Sequence, residues 1–149
     1  MKPVAVIILN WNGAALLRRY LPSVIANTNS TIADVIVADN GSTDESVKVL
    51  KEEFPEVKTL LFSENWGFAE GYNKCVAQTA HKYTVLLNSD VRTPEDWLEP
   101  LYEYMEAHND VGAVQPKLLK DFGPDDPRQV FEYAGAAGGY IDKHGYPYC

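Results

Sequence analysis

The residues with the most chemistry in this sequence stand in four short polar clusters, each placed just after an apolar run. They are Asn10-Trp11-Asn12 after VAVIIL, Asp39-Asn40-Gly41 after DVIVA, Asn65-Trp66-Gly67 beyond VKTLLF, and Asn88-Ser89-Asp90 after YTVLL. The flat ring of Trp11 suits packing over the sheet edge or stacking on a nucleobase, with Asn10 and Asp39 as hydrogen-bonding groups beside it. Asp90 is a carboxylate placed to hold a divalent cation between protein and diphosphate. Asn88 adds a neutral oxygen there without a second negative charge. Each cluster alone is equally a turn former, because Asn, Asp and Gly favour turns and caps. Their recurrence after four successive runs is what argues for a site.

The elements that must position these clusters alternate along the chain. Strands are predicted at residues 4–9, 34–38, 57–62, 83–88 and 111–115, from short apolar or β-branched runs. Between them, helical spacing covers residues 14–28, with Pro22 expected to kink that helix or split it. Ser42 with Glu45 fits a capping box that launches a helix to residue 53. A third helix spans 68–80. A fourth is expected to start from Thr93 with Pro94 in its first turn, and to run to about residue 109. The order βαβαβαβαβ implies an α/β fold, a mostly parallel sheet with helices on both faces, and ligands outside the carboxyl ends of the strands. Residues 120–129 read as an exposed polar loop, and the Gly- and Tyr-rich stretch at 130–149 as strands or a binding loop.

Bulk properties narrow the partners. The net charge of -8 over 149 residues disfavours nucleic acid and anionic membrane surfaces. It leaves nucleotides open, since backbone amides and a cation can neutralise phosphates. Neither GxxxxGK[ST] nor GxGxxG occurs, and GFAEG has a different spacing. No apolar run is long enough to span a membrane, and the start, MKPVAVIILNWNG, has too short an apolar stretch for a signal peptide. Cys75 and Cys149 lack metal-ligand spacing, which reads as a reducing compartment. His81, His108 and His144 show no ligand spacing either. A phosphatase or phosphoacceptor reading fails at Asn88, which stands where a nucleophilic Asp is needed.

VAVIILNWNG, VIVADNGSTDES, ENWGFAEGYNKC and VLLNSD, in this order and spacing, resemble the family 2 glycosyltransferases of the Rossmann-like GT-A fold. The likeness extends to their bacterial rhamnosyltransferase-like branch. The resemblance implies transfer of a sugar from a UDP- or dTDP-linked donor to a glycan or lipid-linked acceptor, in cell-surface polysaccharide synthesis. It places Leu9, Asn10, Trp11 and Asn12 in the first nucleotide-contacting loop and makes Asp39 the base-binding residue. Asn40 and Gly41 follow it, and Asn65, Gly67 and Asn73 lie near the nucleotide. Asn88-Ser89-Asp90 corresponds to the D-x-D metal motif in an N-x-D form, with Asp90 holding Mg or Mn. The family's later E-D-x-D-like segment, source of the general base, has no counterpart after Asp90. The catalytic base is therefore unassigned. Residues 1–149 are expected to be a single nucleotide-sugar-binding domain, C-terminally incomplete, in the cytoplasm or at the inner membrane face. The alternative is a non-catalytic module that binds a nucleotide sugar without turning it over.

Overall fold

The computed structural model describes residues 2–123, 130, 140, 141, 143, 144, 147 and 148. The chain forms two compact units, Met1–Trp97 and Leu98–Cys149. In the first, β1 (Val4–Asn10), β2 (Ala33–Asn40), β3 (Lys58–Phe62) and β4 (Tyr83–Leu87) alternate with α1 (Ala14–Asn27), α2 (Ser46–Glu53) and α3 (Gly67–Ala77). The sheet order is β3-β2-β1-β4, with every pairing parallel. This is the expected α/β architecture.

β1 is the central strand, and Val4 to Ile8 are all buried, which is why its sequence is uninterruptedly apolar. On one face Ala5, Ile7, Ile36 and Ala38 pack with Tyr72 and Cys75 of α3. On the other, Val4, Val6, Ile8 and Val37 lie under α1 and α2, whose buried residues include Leu17, Leu21, Val24, Val49 and Leu50. β1 pairs with β2 through Asn10↔Asp39, but with β4 only through Ile8↔Leu87. The two ladders end at different heights, so β1 and β4 part at their carboxyl ends. The chain order also reverses there, from the β2 side of β1 to the β4 side, the position at which open α/β sheets bind ligands.

Three local expectations are corrected, and one of two alternatives is settled. α1 is one helix with Pro22 inside it rather than two pieces. Its buried positions Leu17, Tyr20, Leu21 and Val24 lie on both sides of the proline, so packing outweighs one lost backbone bond. The Ser42–Glu45 capping box does not form: α2 begins at Ser46 with no side-chain cap from Glu45. Thr93 does not start a helix. Its hydroxyl donates to the Ser23 carbonyl at 3.1 Å, and its own carbonyl accepts from Asn27 Nδ2 at 2.7 Å, so it anchors the chain to α1. The helix of the second unit is α4 (Glu99–Ala107), and the proline in its first turn is Pro100. Residues 111–115 form no strand, since none of the described residues pairs with them.

The second unit also contains a short antiparallel pair, β5 (Tyr140–Ile141) and β6 (Pro147–Tyr148). Residues 124–129 and 131–139, most of the expected loop and much of the Gly- and Tyr-rich stretch, lie outside the described residues.

Candidate nucleotide-binding site

The first two strand ends are locked to each other before any ligand arrives. Asn12 stands at φ +50, a left-handed conformation that costs a non-glycine residue energy. It is held there by hydrogen bonds in both directions. Its amide donates to Ser42 Oγ at 2.8 Å, and its Oδ1 accepts from the amides of Thr43 (2.8 Å) and Asp44 (3.3 Å). The start of α1 is capped from the same loop. The Gly13 amide donates to Ser46 Oγ at 3.1 Å and the Ala14 amide to Asp44 Oδ2 at 3.1 Å. Asp44 Oδ1 accepts the Ser46 amide at 2.9 Å, so one carboxylate serves the starts of two helices. Burial raises the Asp44 carboxyl, but bonds from Ser46 and Ala14 outweigh it and leave the group below its ordinary value.

Asp39 and Asn10 lie beneath these loops. Asp39 Oδ1 accepts the Ser42 amide at 2.9 Å and Oδ2 accepts Asn10 Nδ2 at 2.9 Å. Asn40 performs the corresponding task for the loop before α3. Its Oδ1 accepts the Trp66 amide at 3.1 Å, and its Nδ2 donates to Asn65 Oδ1 at 2.9 Å and to the Gly67 carbonyl at 3.0 Å. The loop fits tightly. Gly41 has φ +74, and a Cβ on it would stand 2.5 Å from the Glu64 carbonyl carbon. A Cβ on Gly71 would stand 2.9 Å from Leu9 Cδ2, so α3 lies directly on the end of β1.

Above these loops is an open cavity of about 480 Å³, lined by Leu9, Trp11, Asn40, Asn65, Gly67, Phe68, Asn88, Ser89 and Asp90. Eight of the residues singled out in the sequence therefore meet around one space. Five others do not line it: Asn10, Asp39 and Gly41 lie beneath or beside the loops, Asn12 is exposed in the interloop lock, and Asn73 is exposed on α3. Phe68 was missed. It is 68% exposed at the start of α3, an unusual position for a phenylalanine, and its ring meets Tyr72 edge-on with centroids 5.0 Å apart. Its sequence neighbours, Gly67 and Asn65, are the only signal that could have pointed to it.

Asp90 is the single charged side chain among the described lining residues, and it is exposed. Among the described residues no three His, Cys, Asp or Glu side chains come together as a metal cage. Such a donor set fits a hard cation that takes most of its oxygens from phosphates and water, with one carboxylate from the protein. The amide end of α3, at Gly67 and Phe68, faces the same cavity and favours negative charge.

Asp34 organises the opposite end of the sheet. Lys2 Nζ lies 2.7 Å from its Oδ1, and Lys58 Nζ and His81 Nε2 lie 2.6 and 3.1 Å from its Oδ2. His81 thus belongs to a structural cluster away from the cavity. No helix among the described residues is long and apolar enough to cross a membrane.

The sequence profile described as Glycosyl transferase family 2 matches residues 5–140. The chain belongs to that family. Among curated relatives, it is 31% identical over 114 residues to the uncharacterized glycosyltransferase alr2836 of Nostoc sp., covering 74% of this chain and 35% of that one. It is 29% identical over 141 residues to the poly(ribitol-phosphate) beta-N-acetylglucosaminyltransferase TarP of Staphylococcus aureus, covering 92% and 43%. The family 2 chain thus spans well under half the length of these relatives. The fold is that of S. aureus TarS 1–349, solved with UDP-GlcNAc, at TM-score 0.63 and 18% identity over 81% of this chain and 39% of that one. The mannosyltransferase PcManGT of Pyrobaculum calidifontis, solved with GDP-Man and Mn2+, gives TM-score 0.60 and 22% identity over 78% and 33%. The resemblance drawn from the four motifs is therefore correct at the level of family and fold.

Proposed function

We propose that this family 2 chain binds a nucleotide diphosphate sugar, UDP- or dTDP-linked, for transfer of the sugar to a hydroxyl of a glycan or lipid-linked acceptor. The observation that carries the reading is the layout of the cavity. An exposed indole, Trp11, and one carboxylate, Asp90, line the same space as the amide end of α3. Trp11 takes the base, α3 and the Asn65-Gly67 loop face the diphosphate, and Asp90, with Asn88 and Ser89 beside it, holds Mg or Mn. Asp39 and Asn10 act by fixing the loop that carries Trp11. The nucleotide-sugar complexes of TarS and PcManGT, and Mn2+ in the latter, support the donor and cation assignments.

In the transfer, an acceptor oxygen forms a bond to the anomeric carbon while the bond from that carbon to the diphosphate breaks. The diphosphate leaves with the electron pair, and the acceptor proton passes to a base. A bound divalent cation supplies charge stabilisation for the departing diphosphate. The residues of this chain hold the base, orient the diphosphate and keep a single negative charge near it. The TarP similarity supports a cell-surface polymer as the acceptor class. We assign residues 1–149 the donor-binding portion, working in the cytoplasm or at the inner membrane face.

Titration calorimetry with UDP and dTDP, with and without Mn2+, tests the site. Binding should strengthen with Mn2+ in the wild type and lose that increment in Asp90→Ala. Metal-independent binding that ignores the substitution would remove Asp90 from the site. A second reading, a binding module without turnover, is favoured by one feature: among the described residues the cavity lining holds no second carboxylate to act as base. Sugar transfer by the purified chain would exclude it.

A further inference from the structure

Tyr72 is buried at 4% exposure, and its ring packs in the cluster between α3 and the sheet. A phenylalanine would fill the same volume, so the hydroxyl needs its own explanation. It donates to the Leu87 carbonyl at 2.9 Å. Leu87 is the last residue of β4 and the last paired with β1, opposite Ile8. Leu9, the next residue of β1, packs against the cluster that holds the Tyr72 ring, and its backbone amide favours the ionised phenol. Burial pushes the phenol above its ordinary value, against the effect of that amide, so it remains a donor across the neutral range. Tyr72 thus touches both strands where they part, and Asn88 begins one residue further on.

We propose that Tyr72 is a positioning residue for the cation end of the site: its hydroxyl pins the last carbonyl of β4 and fixes where Asn88, Ser89 and Asp90 stand relative to Leu9 and Trp11. The close seat of α3 makes this possible: with no side chain at Gly71, the helix lies directly on Leu9 and Asn40. A pinned strand end matters most for a cation held by one carboxylate, since no second carboxylate among the described lining residues corrects a displaced Asp90. The inference rests on the metal role proposed for Asp90, but the pin itself can be read without ligand.

The test compares wild type, Tyr72→Phe and Cys75→Ala in the full-length protein. Cys75 lies in the same cluster but makes no bond to β4, so its variant reports loosened packing alone. Amide hydrogen exchange across residues 87–90 should quicken about tenfold in Tyr72→Phe, relative to both others, on loss of one buried hydrogen bond. Calorimetry should find metal-free UDP affinity within about twofold of wild type, with the gain from Mn2+ reduced about tenfold. Unchanged exchange, with the Mn2+ gain kept at wild-type size, would overturn the role of Tyr72 and leave the metal reading standing. Parallel losses with and without Mn2+, matched in Cys75→Ala, would reduce Tyr72 to core packing. Faster exchange in Tyr72→Phe beside a wild type that gains nothing from Mn2+ would keep the pin and refute the metal at Asp90.

Discussion

Asn10 and Asp39 meet at the carboxyl ends of β1 and β2 with no access to solvent, Asn10 Nδ2 donating to Asp39 Oδ2 at 2.9 Å. The other Asp39 oxygen accepts the Ser42 amide, so both oxygens of the carboxylate hold the two strand-end loops. Asp39→Asn turns one acceptor into a donor that confronts Asn10 Nδ2. A buried donor left without an acceptor costs about 1–3 kcal/mol. Thermal denaturation should therefore place Asp39→Asn several degrees below wild type before any nucleotide is added. An unchanged midpoint would return Asp39 to a purely ligand-facing role.

Asn12 separates backbone strain from hydrogen bonding. Asn12→Ala keeps the unfavourable φ of +50 and loses the side-chain bonds to Thr43 and Asp44, a combined cost of about 2–3 kcal/mol. Asn12→Gly loses the same bonds but relieves the strain, so its cost should be about 1 kcal/mol smaller. Denaturant titration of both variants checks the order. Equal stabilities would mean that the loop relaxes and the lock is not strained.

Much of this arrangement was legible in the sequence, for a physical reason. Strands covered on both faces must be apolar throughout, so Val4–Asn10 and its neighbours announced themselves, and the polar clusters after them marked the ligand-binding edge. What could not be read depends on partners far along the chain. Ser42 looked like a local cap, but it accepts the Asn12 amide, 30 residues away. Thr93 looked like a helix start, but it is bound to Ser23, 70 residues away. Phe68 and Tyr72 stand four residues apart in the expected third helix, yet one is exposed in the cavity and the other donates to a strand end.

The Asp34 cluster predicts a pH dependence that is separate from the site. Burial raises the Asp34 carboxyl, but hydrogen bonds from Lys2, Lys58 and His81 outweigh this and hold it well below the usual carboxylate range. A folded-state value lower than the unfolded value of about 3.9 means that the stabilisation is complete above that pH. It is lost as pH falls below about 4 and the unfolded chain takes up the proton first. Between pH 6 and pH 3 the melting temperature should fall more steeply in the wild type than in Asp34→Asn. Parallel curves would show that the cluster adds nothing to stability.

Trp11 and Phe68 are the two exposed rings on the cavity, and they should differ in what their loss does. Trp11 is 57% exposed at the tip of the first loop, so Trp11→Ala should leave the melting temperature nearly unchanged. If its indole stacks on the base, UDP affinity falls about tenfold, the usual scale for one aromatic platform under a base. Inorganic pyrophosphate, which has no base, should bind Trp11→Ala as it binds the wild type. Phe68 leans edge-on against Tyr72, so Phe68→Ala should lower the melting temperature through that contact. Its effect on UDP and pyrophosphate should be equal and small, because it stands at the amide end of α3 beside the diphosphate rather than under the base. Calorimetry of both ligands with both variants decides the matter. Equal losses of UDP and pyrophosphate in Trp11→Ala would remove the indole from the base-binding role and move the base elsewhere in the cavity.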